Sequence, residues 1–192
     1  MPKSHRLFKP LMLLLAGAGV MSLLGSSPVS SRQWKATPEA LAREYGQIID
    51  TRALGEIVVL SWMAPHGIPA ENPGAPVMRD MLQRYVLILA VHSQFDKSSG
   101  VVSFKEGEAV TVKDQSGKTL APIARESLPP TNIAMITAME AVFKQSLGQM
   151  GAGMKAYLFD SAGTDACKKG QLAAQFAGET YTWDLPFPGC KT

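Results

Sequence analysis

Cysteine, histidine and net charge are all scarce in this chain, and each scarcity removes a class of function. Of 192 residues two are cysteine, Cys167 and Cys190, and no CxxC spacing is present, which sets aside the usual redox motif and clustered zinc sites. Of three histidines only His66 and His92 lie beyond residue 31, so a site built from imidazole alone has little to draw on. Three of the 19 basic residues, Lys3, Arg6 and Lys9, precede residue 32, and none of the 16 acidic ones does. The remainder is formally neutral and lacks the basic field that draws in nucleic acid. No GxSxG stands in the sequence, and Gly148-Gln149-Met150-Gly151-Ala152-Gly153 lacks the lysine of a phosphate loop. It reads as a flexible exit from a helix.

What is present begins with an address. Lys3, Arg6 and Lys9 precede an apolar run over 11–24, followed by small residues and Pro28 up to Ser31. This is the pattern of a secretory signal peptide. The run is short of the roughly 20 residues that span a bilayer as a helix, so cleavage after Ser31, or nearer Ser27, is expected, with an uncleaved N-terminal anchor as the alternative. Residues 32–192 are then expected to form a single exported domain, periplasmic or extracellular, with no membrane span after cleavage and no cofactor. In an oxidising compartment Cys167 and Cys190 read most simply as a structural disulfide. Closing that loop would restrict the unfolded chain by roughly 3 kcal/mol. A redox or metal-binding thiol pair is the alternative.

Thr37-Pro38-Glu39-Ala40 predicts a short helix over 38–47. Residues 56–63, EIVVLSWM, are β-branched and aromatic and read as a strand ending at Pro65. Residues 64–76 contain four prolines and two glycines, which predicts the longest loop and a contact surface. Helical turns over 78–84 lead into Tyr85–His92, apolar at almost every position. Such a strand is central and covered on both faces. Short strands near 101–105, 108–113 and 119–123, separated by turns at 96–100 and 114–118, predict a meander with it.

The period then changes. Met135, Ile136, Met139, Val142, Phe143 and Leu147 recur at helical spacing, which predicts an amphipathic helix over 131–147 covering a sheet face. Strands at 154–159, 171–176 and 180–183 close the chain, with Trp183 alternating inward as core. The expected class is mainly β, α+β by content.

Tyr85-Val86 opening a long strand, Asp114, Gly117 and Pro122 in DQSGKTLAPI, and Lys155-Ala156-Tyr157-Leu158-Phe159 carry a resemblance. Over 85–185 the chain resembles immunoglobulin-like β-sandwich domains of bacterial exported proteins and lipoprotein antigens of unassigned function. The resemblance implies an immunoglobulin-like sandwich, here with a short N-terminal helix and a helix near 131–147 where such domains have a short loop. It implies no active-site residues.

Together these readings point to a non-catalytic binding or interaction domain of the bacterial cell envelope, with another envelope protein or a surface ligand as partner. A second expectation is a periplasmic copper-binding protein using His66, His92 and Met63, with Met78 and Met81 nearby, because imidazole and thioether suit copper. A third is a hydrolase without a recognisable motif. The scattered aspartates, Asp96 and Asp114 among them, read as turn residues.

Overall fold

The computed structural model describes residues 46–51, 55–188 and 190. The signal-like segment and the cleavage region lie outside the described residues, as do positions 38–45 of the expected N-terminal helix. That helix was expected to run to Gln47, but Gly46–Thr51 is strand β1. Its backbone pairs antiparallel with β2 (Glu56–Met63), so the edge-strand ladder takes over the last two residues of the expected helix.

At the centre stands β3 (Tyr85–Phe95), flanked by β2 on one side and β7 (Lys155–Asp160) on the other, both antiparallel. Among the described residues the first sheet has six strands: β1-β2-β3-β7-β6, with β6 being Pro122–Ile123, and β4 (Val102–Phe104) pairing with the far end of β3. The second sheet is β5-β8-β9, formed by Thr111–Lys113, Gly170–Phe176 and Glu179–Leu185. The expected meander over 85–123 is therefore corrected. β5 leaves for the second sheet after Gly107, whose φ of 77° suits glycine, and β6 returns to the first sheet against β7.

The near-unbroken apolar run of β3 has its physical explanation in two cores. Val86, Ile88 and Ala90 face the second sheet, together with Val58, Leu60 and Trp62 of β2, Phe159 of β7 and Leu172, Ala174, Phe176, Tyr181, Trp183 and Leu185 of β8 and β9. On the opposite face Leu87 packs with Leu158 under α1 (Ala75–Arg84) and α2 (Pro130–Ser146), and Leu89 and Val91 pack with Val59 and Met154. Each Val, Leu or Ile side chain so buried contributes roughly 1.5–3 kcal/mol relative to exposure. Trp183 lies in the two-sheet core as expected, edge-on to Trp62 with ring centroids 6.1 Å apart.

Helix α2 starts at Pro130, whose fixed φ suits a first helical position, and the 3-10 turn Gly148–Gly153 follows it. Ile136 and Met139 are buried, and Ile133, Met135, Phe143 and Leu147 pack partly against the cores. Val142 is a correction: it was expected on the covered stripe and is 59% exposed. At 100° per residue it stands about 120° away from Ile136 around the helix. Glu140, by contrast, turns inward. It holds Arg125 at 2.9 Å and accepts the Ala156 N–H at 3.0 Å, so a side chain of α2 satisfies an edge group of β7 next to the two-residue strand β6.

Among the described residues no helix is long and apolar enough to cross a membrane.

Candidate functional site

Two polar constellations interrupt the apolar interior. The first is a cleft where the chain leaves β2. Its floor is Trp62, Leu82 and Val86, and its rim is formed by His66, Gln83, Ser161, Thr164, Asp165 and Lys168. The cavity measures about 400 Å³, within the usual range for small-molecule sites.

Local bonds fix each wall. On one side Pro65–Gly67 makes a 3-10 turn, with the Gly67 N–H donating to Ala64 O at 3.0 Å, and Arg79 of α1 donates to Ile68 O at 2.5 Å. The loop after β7 is held by Ser161 N–H to Arg84 O at 3.2 Å and Thr164 N–H to Ser161 O at 2.6 Å. Asp165 accepts the Cys167 N–H at 2.8 Å, an Asx turn, while Gln115, in the turn after β5 (Thr111–Lys113), donates to Asp165 O at 2.6 Å. The expected disulfide is present: Cys167 and Cys190 are bonded, with Cα atoms 5.4 Å apart. His66 lies directly against it, Nε2 being 3.2 Å from Cys167 Sγ. The Thr164 hydroxyl is buried in this wall with no hydrogen-bond partner among the described residues.

The second constellation closes one end of the two-sheet core. Positions 86, 88, 90 and 92 of β3 share a face, so His92 points between the sheets, where it is 4% exposed. Its Nε2 is 2.5 Å from Glu56 and its Nδ1 2.7 Å from Glu108. An ionised carboxylate only accepts, so a ring nitrogen bonded to one is the donor. Lys105 donates to the same Glu56 oxygen at 2.6 Å. Those hydrogen bonds, first from Lys105 and then from His92, hold the Glu56 carboxyl below its usual range. Tyr157 donates to Glu108 O at 3.1 Å, and burial, with the Glu108 charge second, pushes its phenol up. The Tyr181 hydroxyl is buried without a partner among the described residues, and burial, aided by Glu179, Glu108 and Glu56, pushes it up to about 12.

The proposed copper ligands are placed in different settings. His66 lines the cleft against the disulfide, His92 lies between two glutamates, and Met63 packs on the helix-facing side of the first sheet. Val58 pairs with His92 and Met63 with Leu87, which separates their Cα positions along the ladder by roughly 16 Å at strand rise. Met81, on α1, is buried in the core shared with α2, and Met78 on the same helix packs partly against it. Asp96 and Asp114 are turn residues: each accepts a serine hydroxyl at 2.6 Å and the backbone N–H of that serine at 2.8 Å.

Sequence reasoning missed Glu56, Lys105 and Glu108 around His92, and the 161–168 loop beside His66. For Glu56 a signal existed, since it continues the parity of Val58, Leu60 and Trp62 into the core face. Glu108 had none, because only the crossing between sheets brings it there. Comparison of the chain with protein families, curated proteins and solved structures gives no match.

Proposed function

We propose that the chain is an exported binding domain of the bacterial cell envelope whose contact site is the cleft between the 64–74 loop and the 161–168 loop. The observation that carries this reading is the cleft itself: about 400 Å³ of space with an aromatic and aliphatic floor and a polar rim. A few convergent polar groups over an apolar base is the general form of a ligand site. The rim supplies His66 and Lys168, while the Asp165 carboxylate is turned into its own loop. This composition favours an anionic group on the bound molecule, whether a free surface ligand or a side chain offered by another envelope protein. The commitment of both His92 nitrogens to carboxylates supports a binding role over acid–base catalysis at that residue. A signal-like N-terminus, a bridged cysteine pair and the resemblance to immunoglobulin-like exported domains support export and an envelope setting.

The test is amide chemical-shift mapping of the full-length, disulfide-intact protein with a panel of small carboxylates and phosphate esters. The reading expects shifts confined to Gln83, Ser161, Thr164, Lys168 and the His66 turn, and lost in His66→Ala. Shifts centred elsewhere, or none across the panel, contradict it.

A further inference from the structure

We propose that reduction of the Cys167–Cys190 bridge converts the wall of the cleft into a three-ligand zinc site, formed by the two sulfurs and a ring nitrogen of His66. This goes beyond the binding reading and does not depend on what occupies the cleft while the bridge is closed.

Three observations carry it. One ligand atom from each of His66, Cys167 and Cys190 lies within 4.8 Å of the other two. In tetrahedral zinc sites, with bonds of about 2.3 Å to sulfur and 2.0–2.1 Å to nitrogen, the donors stand roughly 3.5–3.8 Å apart. His66 Nε2 is already 3.2 Å from Cys167 Sγ. That pair needs a shift of a few tenths of an ångström, and the sulfurs, once unbonded, separate by side-chain rotation. Each ligand is also tied through its backbone independently of the bridge: His66 in the Pro65–Gly67 turn, Cys167 by its N–H to Asp165 at 2.8 Å, and Cys190 by its N–H to Phe187 O at 3.2 Å. All three residues are partly exposed, so an ion and a reductant reach them. The cleft lies alongside His66 and Cys167, where a water or a ligand atom completes the fourth position.

The chemistry balances with a dithiol as reductant. The dithiol transfers two electrons and two protons to the S–S bond and becomes a disulfide, leaving two cysteine thiols. Zinc then displaces those two protons to solvent, forming two bonds to sulfur and one to neutral His66 nitrogen. In the reverse step a disulfide is the oxidant: it takes the two electrons of the thiolates and two protons from solvent and leaves as a dithiol, the Cys167–Cys190 bond re-forms, and the ion is released. The site exists in one redox state and the bridge in the other.

The experiment titrates Zn²⁺ into full-length protein, oxidised or reduced with a phosphine, anaerobically and against a chromogenic chelator. Reduced wild type is expected to bind one ion per chain and oxidised protein none. Reduced His66→Ala is expected to bind more weakly by about tenfold or more, since losing even an outer partner of a zinc ligand costs 10–100-fold. Cys167→Ala/Cys190→Ala serves as the bridge-free fold control, and circular dichroism follows each sample. The proposal is overturned if reduced wild type binds no better than oxidised, if His66→Ala matches wild type, or if zinc binds only to a reduced chain that has lost its folded spectrum.

Discussion

His92 Nε2 lies 2.5 Å from Glu56 Oε1, joining β3 to the first residue of β2 on the face that looks between the two sheets. A second carboxylate, Glu108, reaches the other ring nitrogen from the segment that carries the chain from one sheet to the other. The imidazole thus fastens the crossover to the end of the core, and the ring of Phe176 closes over it edge-on at 6.3 Å.

Removing that ring is therefore costly. His92→Ala leaves two glutamates facing each other and an empty space beside Phe176, and it is expected to destabilise the fold by about 1–3 kcal/mol. Lys105→Ala, which removes a side chain that is 45% exposed, is expected to change stability only marginally. Urea denaturation midpoints of the two variants check the contrast.

The two faces of α2 make a matched pair. Ile136→Ala removes a fully buried side chain and is expected to cost about 2–4 kcal/mol. Val142→Ala, on the exposed face, is expected to stay within about 0.5 kcal/mol of wild type. Equal effects from thermal or chemical unfolding would mean that the helix is rotated from the orientation described.

Gly153 is required for its lack of a side chain. A Cβ there would stand 2.2 Å from the Phe104 ring, so Gly153→Ala is expected to destabilise by about 1–3 kcal/mol through overpacking. Phe104→Ala in the same chain removes the obstruction, and the double variant is expected to show less than the sum of the two single losses.

Much of this architecture was legible where the signal is local. The run Glu56–Met63 and the two-sided burial of β3 follow from side-chain pattern alone, because a strand with apolar residues on both faces needs two covers. The disulfide followed from an even pair of cysteines without CxxC spacing, read on the expectation of an oxidising compartment, and α2 from its period. Pattern could not say that β5 pairs with β8 while β6 pairs with β7, since short strands carry little register information. It placed Val142 on the wrong side of α2 and gave no sign that Glu140 turns inward, because an inward carboxylate reads as surface until Arg125 and the Ala156 N–H are known to meet it. The cleft was half visible. The expected loop over 64–76 announced itself by its prolines, although its last two residues open α1, but the opposing wall lies about a hundred positions away in the chain, and no local signal links His66 to Cys167.

Acid sensitivity offers a further check. The hydroxyls and N–H groups of Ser98 and Ser99 hold Asp96 down to about 2 from 3.8. A carboxyl depressed in the folded state contributes stability that is fully present above 3.8 and lost as the pH falls through about 2. Melting temperatures of wild type and Asp96→Ala are thus expected to differ at pH 5 and above, and to converge as the pH falls from about 4 to 2. A difference independent of pH would assign the effect of Asp96 to something other than its charge.

The central claim is that the cleft beside His66 is where this domain meets its partner. Photo-crosslinking in cells measures it most directly, with the reactive group placed at Gln83 or Lys168 on the cleft rim and, as a reference, at the exposed Lys113 of β5. The account predicts a discrete adduct from both rim positions, absent from Lys113 and diminished by His66→Ala. Equal labelling from Lys113, or no adduct from either rim position, would contradict it.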